Sequence, residues 1–195
     1  MEKRTVWKAL RRLALGVAAC SLVILSVGAV HVWRVAGPDA WNPADAFTPD
    51  DLWRFYELPD LAKSAARGGE FERATEHAEE LLALAERYPN NWNHGNALHD
   101  AHVALGLAAL GQGDRSRAAE HLRLAGETPG SPQLDTFGPN MLLAEALVRE
   151  GETDAVLAYF ELCRRFWEMD DGWLDRWSAA VREGAVPSFR ANLEY

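Results

Sequence analysis

The sequence predicts an all-α fold: three repeated helical hairpins behind one apolar N-terminal helix. Three observations carry that expectation. From residue 49 onward there is neither an alternating strand pattern nor a β-hairpin dipeptide. Three turns, Gly69-Glu70-Phe71, Gly113-Asp114-Arg115 and Gly151-Glu152-Thr153, share one grammar: a glycine that ends a helix in the left-handed cap, then an acid favoured by the dipole of the next. Between residues 13 and 33 there is no Asp, Glu, Lys or Arg.

Residues 1–12 are a basic flank, with Lys3, Arg4, Lys8, Arg11 and Arg12 against Glu2. Residues 13–34 form the apolar run, closed by Arg34, and supply the roughly 20 residues a helix needs to cross the hydrocarbon core. As an uncleaved transmembrane signal-anchor, the basic flank stays cytoplasmic, and Trp7 and Trp33 fall near the two headgroup regions. Two other readings stay open. Val27-Gly28-Ala29 would serve as a small-residue cleavage site, and Val17-Ala18-Ala19-Cys20 resembles a bacterial lipobox. Length favours the anchor, because a cleaved signal has an apolar region of about 7–15 residues, and Ser21 to Leu25 prolongs this one. All three readings place the rest of the chain outside the cytoplasm. The anchor implies a single-pass protein of the inner (plasma) membrane, with its domain on the extracytoplasmic side of the cell envelope. The signal types and the excess of Arg over Lys point to a bacterial source.

Residues 35–48 are a linker, broken by Gly37-Pro38, Asn42-Pro43 and Thr48-Pro49. Thr48 suits an N-cap, Pro49 the first helical position, and Asp50 and Asp51 the first turn. A short aromatic helix follows, carrying Leu52, Trp53, Phe55, Tyr56 and Leu58. The helical domain spans residues 49–184. Its last helix, Gly172 to Glu183, places Trp173, Leu174, Trp177, Ala180 and Val181 at helical spacing. Repeat arrays need such a helix to cover an apolar end, and the Trp53 helix would cover the opposite one. Residues 185–195 are expected to be a loosely held tail.

The hairpins can be laid over one another. The middle one reads His102-x2-Leu105-Gly106-x2-Ala109, then Ala118-x3-Leu122, then Pro129. The first reads Leu58-x2-Leu61-Ala62-x2-Ala65, Ala74-x3-Ala78 and Pro89; the third reads Asn140-x2-Leu143-Ala144-x2-Leu147 and Val156-x3-Phe160. This pattern resembles the tetratricopeptide (TPR) repeat. The turn glycines recur at intervals of 44 and 38 residues, longer than the family's 34. The excess falls in the second helix of the first unit and in the loops around Asn90 to Asn93 and Thr128 to Pro139. The resemblance implies a TPR-like α-solenoid in which Ala62, Gly106, Ala144, Ala74 and Ala118 allow close helix approach. It also implies a concave groove lined by the first helix of each unit. That groove would hold Lys63 and Arg67; His99, Asp100, Val103, Leu107 and Leu110; and Met141, Glu145 and Arg149. Basic residues beside an apolar strip suit a peptide with acidic ends, so the expected role is protein–protein interaction or scaffolding for a protein or peptide partner.

Charge narrows the partner classes. The chain holds 20 Lys+Arg and 29 Asp+Glu; six and one of these lie in residues 1–34, which leaves the remainder at a net −14. Such a surface offers no basic field for nucleic acid. No nucleophile elbow, P-loop, Rossmann glycine pattern, HExxH or CxxC pair occurs, so neither a cofactor nor an enzymatic activity is expected. The polar stretch from Asn91 to His102 supplies the alternative: a metal-binding protein or enzyme using His99, Asp100 and His102, with His94 as a further ligand candidate. The long Thr128 to Pro139 loop is expected to be ordered, with Leu134 and Phe137 tucked against neighbouring helices. A third possibility is a structural subunit whose aromatic ends dock against a neighbour.

Overall fold

The computed structural model describes residues 48–194, and these contain eight α-helices, one short 3-10 helix and no strand. The helices are α1 (Pro49–Arg67), α2 (Phe71–Arg87), α3 (His94–Gly111), α4 (Arg115–Gly126), α5 (Pro132–Phe137), α6 (Leu142–Arg149), α7 (Thr153–Cys163) and α8 (Trp173–Arg182). The 3-10 helix is Arg190–Leu193. The expected membrane segment, residues 13–34, lies outside the described residues. Among the described ones, no helix is long and apolar enough to cross a membrane.

Helix α1 starts where its cap dictates. Thr48 Oγ1 accepts from the Asp51 N–H at 3.1 Å, and Asp50 and Asp51 occupy the first turn. The aromatic stretch is not a separate short helix, because α1 runs on through Pro59 to Arg67. Pro59 removes one backbone hydrogen bond, but Phe55, Leu58 and Ala62 bury one continuous face and hold the helix through it. Its other side leaves Leu52, Trp53 and Tyr56 exposed, and Tyr56 stacks on Trp92 at 6.1 Å.

Three turns close the hairpins in the same way. Gly69, Gly113 and Gly151 have φ of 77°, 86° and 84°. In each, the glycine N–H reaches back three residues and the next N–H reaches back five: Gly69 to Ala66 and Glu70 to Ala65, Gly113 to Leu110 and Asp114 to Ala109, Gly151 to Val148 and Glu152 to Leu147. This is the Schellman arrangement, which satisfies carbonyls a helix end would otherwise leave open. Ala74, Ala118 and Val156 each follow four residues after the N-cap and are all fully buried.

Packing follows chain order. Helix α1 packs on α2, α2 on α3, α3 on α4, α6 on α7 and α7 on α8. The first helices of the hairpins are also neighbours, α1 on α3 and α3 on α6, and α4 packs on both α6 and α7. The arrangement is compatible with a helical repeat. Gly106 sits where the close approach was expected: an added Cβ would lie 2.2 Å from Leu143 Cδ2 and 3.2 Å from His121 Cβ. At the far end, Trp177 gathers Phe160, Trp167, Trp173 and Phe189 at centroid distances of 6.2, 5.6, 6.0 and 5.0 Å.

Two local expectations are corrected. The long loop is ordered and contains α5, whose Leu134 is buried, but Phe137 is 62% exposed at the end of that short helix. The segment after Ala185 is not loosely held: Pro187 and Phe189 are buried, and the Phe189 ring is inserted between Trp177 and Phe160.

Candidate functional site

Eight residues of the expected groove join one closed circuit of contacts or flank it. Lys63, near the C-terminal end of α1, is 5% exposed and donates to Asp100 Oδ2 on α3 at 3.1 Å. Burial of an ammonium requires such a partner. The neighbouring His99 is almost wholly buried. Its Nδ1 donates to the Ala125 carbonyl at 3.0 Å, and its Nε2 accepts from the Asn140 N–H at 3.0 Å. Two backbone groups therefore fix one neutral tautomer, and burial holds its pKa below the ordinary histidine value. Asn140 leads into Met141, whose N–H donates to the Asn192 carbonyl at 2.7 Å. The next carbonyl, that of Leu193, accepts from the Arg67 guanidinium at 2.9 Å. Arg67 lies one turn beyond Lys63 on α1, which closes the circuit. Val103 and Met141 are fully buried in the core cluster against which Leu107, Leu110 and Leu193 are packed.

The C-terminal segment thus lies over the start of α6 and reaches the end of α1. Its chief contact is Asn192, whose side-chain amide donates to both the Phe137 and the Pro139 carbonyls, at 3.2 and 3.0 Å. The loop presenting these carbonyls is pinned to the start of α3. Thr128 Oγ1 donates to the Gly95 carbonyl and Ser131 Oγ to Asn96 Oδ1, both at 2.7 Å, while Asn96 Nδ2 donates to Gln133 Oε1 at 2.8 Å. A Cβ at Gly138 would lie 2.4 Å from Trp167 Cε2, so the backbone there passes directly over the indole.

The basic residues expected to capture acidic peptide ends are engaged otherwise. Lys63 is buried on Asp100, and Arg149 is exposed but paired with Glu145 at 3.0 Å. Arg67 donates to a carbonyl of the chain's own terminus.

The histidine cluster is taken apart by the fold. His94 is the first residue of α3, and its Nδ1 lies 3.1 Å from the Ala85 carbonyl. His99 faces α4 and the α5–α6 loop, and Asp100 faces Lys63. His102 stacks on His121, a residue the sequence gave no reason to single out, with Nδ1 atoms 3.3 Å apart. Burial and the neighbouring His121 push the His102 pKa down to about 4; burial and Arg117 lower that of His121. Among the described residues, no group of three or more His, Cys, Asp or Glu side chains converges as a metal site would require. Beside His121, a shallow pocket of roughly 260 Å³ lies between α2 and α4, lined by Glu72, Thr75, Leu105, Ala109, Gln112 and Arg117.

Asn192 and Leu193 were absent from the sequence-derived site. The available signal was the spacing of Phe189 and Leu193, an apolar pair four residues apart after Pro187. No protein-family model matches the chain, and no curated protein or solved structure matches it either.

Proposed function

We propose that the helical domain is a TPR-like protein-binding module, held at the outer side of a bacterial inner membrane by residues 13–34, and that it scaffolds a partner of the cell envelope. The partner binds the face formed by the first helix of each hairpin. The observation that carries this reading is the neighbour relation of the three first helices, α1 on α3 and α3 on α6. The repeated Schellman turns support the repeat assignment, because one hydrogen-bond pattern closes all three hairpins. The composition also supports it: a net charge of −14 over residues 35–195 disfavours a nucleic-acid partner, and no catalytic motif competes.

The test is affinity capture from membranes with the full chain, then the same capture with Arg67→Glu/Arg149→Glu. Both side chains are exposed, so the variant should fold. The reading expects a discrete partner whose affinity falls at least fivefold in the variant. Affinity unchanged within about twofold, roughly 0.4 kcal/mol, would remove this face as the binding surface.

A further inference from the structure

We infer that the first-helix face is a receptor for a short turn peptide with an Asn followed by an apolar residue, and that the chain's own residues 190–194 occupy it until a partner displaces them. The inference rests on the binding reading above and names its ligand chemistry.

The receptor is defined by what it offers. It presents two carbonyls, of Phe137 and Pro139, to one side-chain amide. It presents one N–H, of Met141, and one guanidinium, of Arg67, to two successive carbonyls of the ligand. Among uncharged side chains, only those of Asn and Gln carry an NH2 group that donates to two carbonyls at once. The shorter Asn also suits the single 3-10 turn that carries it. The next residue, Leu193, packs against the apolar core cluster that includes Val103 and Met141. Every polar contact just described uses main-chain groups on one side or the other, so a peptide of like sequence can reproduce them from another protein.

The occupant has the features of a removable ligand. Beyond the fully buried Phe189 the segment is held only by Asn192, Leu193 and the Arg190 guanidinium, which lies 4.2 Å from the centroid of the Trp173 ring; Arg190, Ala191 and Glu194 are themselves exposed. Arg190 adopts φ 55°, a left-handed conformation that costs a non-glycine residue free energy and is relieved on release. The receptor does not depend on the tail for its shape, because Thr128, Ser131 and Asn96 fasten the loop to α3 independently. When the tail leaves, the loop carbonyls and the Met141 N–H lose these bonds, so water or a peptide with matching groups must replace them.

The probe is a fluorescein-labelled peptide, Arg-Ala-Asn-Leu-Glu-Tyr, the sequence of residues 190–195. It is titrated by anisotropy onto the full chain, onto a chain ending at Phe189, and onto full-length Asn192→Ala. Saturable binding to the shortened chain is expected, at least tenfold tighter than to the full chain, and abolished when the peptide's Asn becomes Ala. Asn192→Ala, which keeps the chain length should the shortened form fail to fold, is expected to bind the peptide several-fold better than wild type. Two results overturn the inference: absence of saturable binding to both folded variants, or equal binding to wild type and variants. A captured partner separates this failure from failure of the binding reading. Affinity that falls with Arg67→Glu/Arg149→Glu but is unmoved by removing residues 190–195 contradicts displacement alone. Affinity unmoved by either contradicts the binding face itself.

Discussion

At the scale of single residues, the buried ion pair and the histidines make the sharpest claims. Lys63 and Asp100 pair across α1 and α3 with side-chain exposures of 6% and 16%. Removing one partner of such a pair strands a charge, at about 3–5 kcal/mol, whereas replacing both with apolar residues is often neutral. Lys63→Met alone should therefore destabilise by about that amount, and Lys63→Met/Asp100→Leu should recover most of it, as read from urea midpoints in a double-mutant cycle. A second expectation concerns pH. His99, His102 and His121 all have folded pKa values below the ordinary 6.5, through burial first. Over that interval the unfolded chain binds more protons than the folded one, so stability rises with pH there and is lost as pH falls below about 6.5. The lowered carboxylates Asp51, Glu80 and Glu120 add their own loss only in more acidic solution. His102→Gln/His121→Gln should flatten the stability curve between pH 6.5 and 5, measured by urea unfolding at each pH.

Among elements, the turns were legible and the insertions were not. Glycine followed by an acid encodes a helix end and a helix start within three residues, and all three turns formed as that chemistry requires. Gly106 was legible too, because it stands where the middle hairpin calls for a small residue. Gly106→Leu should overpack the contact with Leu143 and cost roughly 1–3 kcal/mol in unfolding free energy. The continuity of α1 across Pro59 was not legible, because it depends on tertiary burial of Phe55, Leu58 and Ala62 and not on local propensity. The C-terminal segment was missed for a similar reason. Its sequence is unremarkable alone, and only the aromatic cavity around Trp177 makes Phe189 an anchor and Asn192 a contact. Histidine spacing misled in the opposite direction. His99 and His102 are three apart on one helix, yet each finds its partner on a different neighbouring segment.

At the scale of the whole molecule, we propose that residues 13–34 set where the helical domain works and that the first-helix face binds its partner. A reporter active only outside the cytoplasm, fused after Tyr195, is expected to be active, with the N-terminal sequence intact; a mature chain starting after Ala29, or lipid on Cys20, would replace the anchor by a processed signal. The central claim is that one face, made by α1, α3 and α6, meets the partner. Photo-crosslinking in intact membranes tests it most directly, with a photoreactive amino acid placed at exposed Arg67 or Arg149 on that face, or at exposed Glu76 or Glu79 on the second helix α2. The account predicts a discrete crosslinked adduct from Arg67 and Arg149 and none from Glu76 and Glu79. An adduct from the α2 positions alone would contradict it.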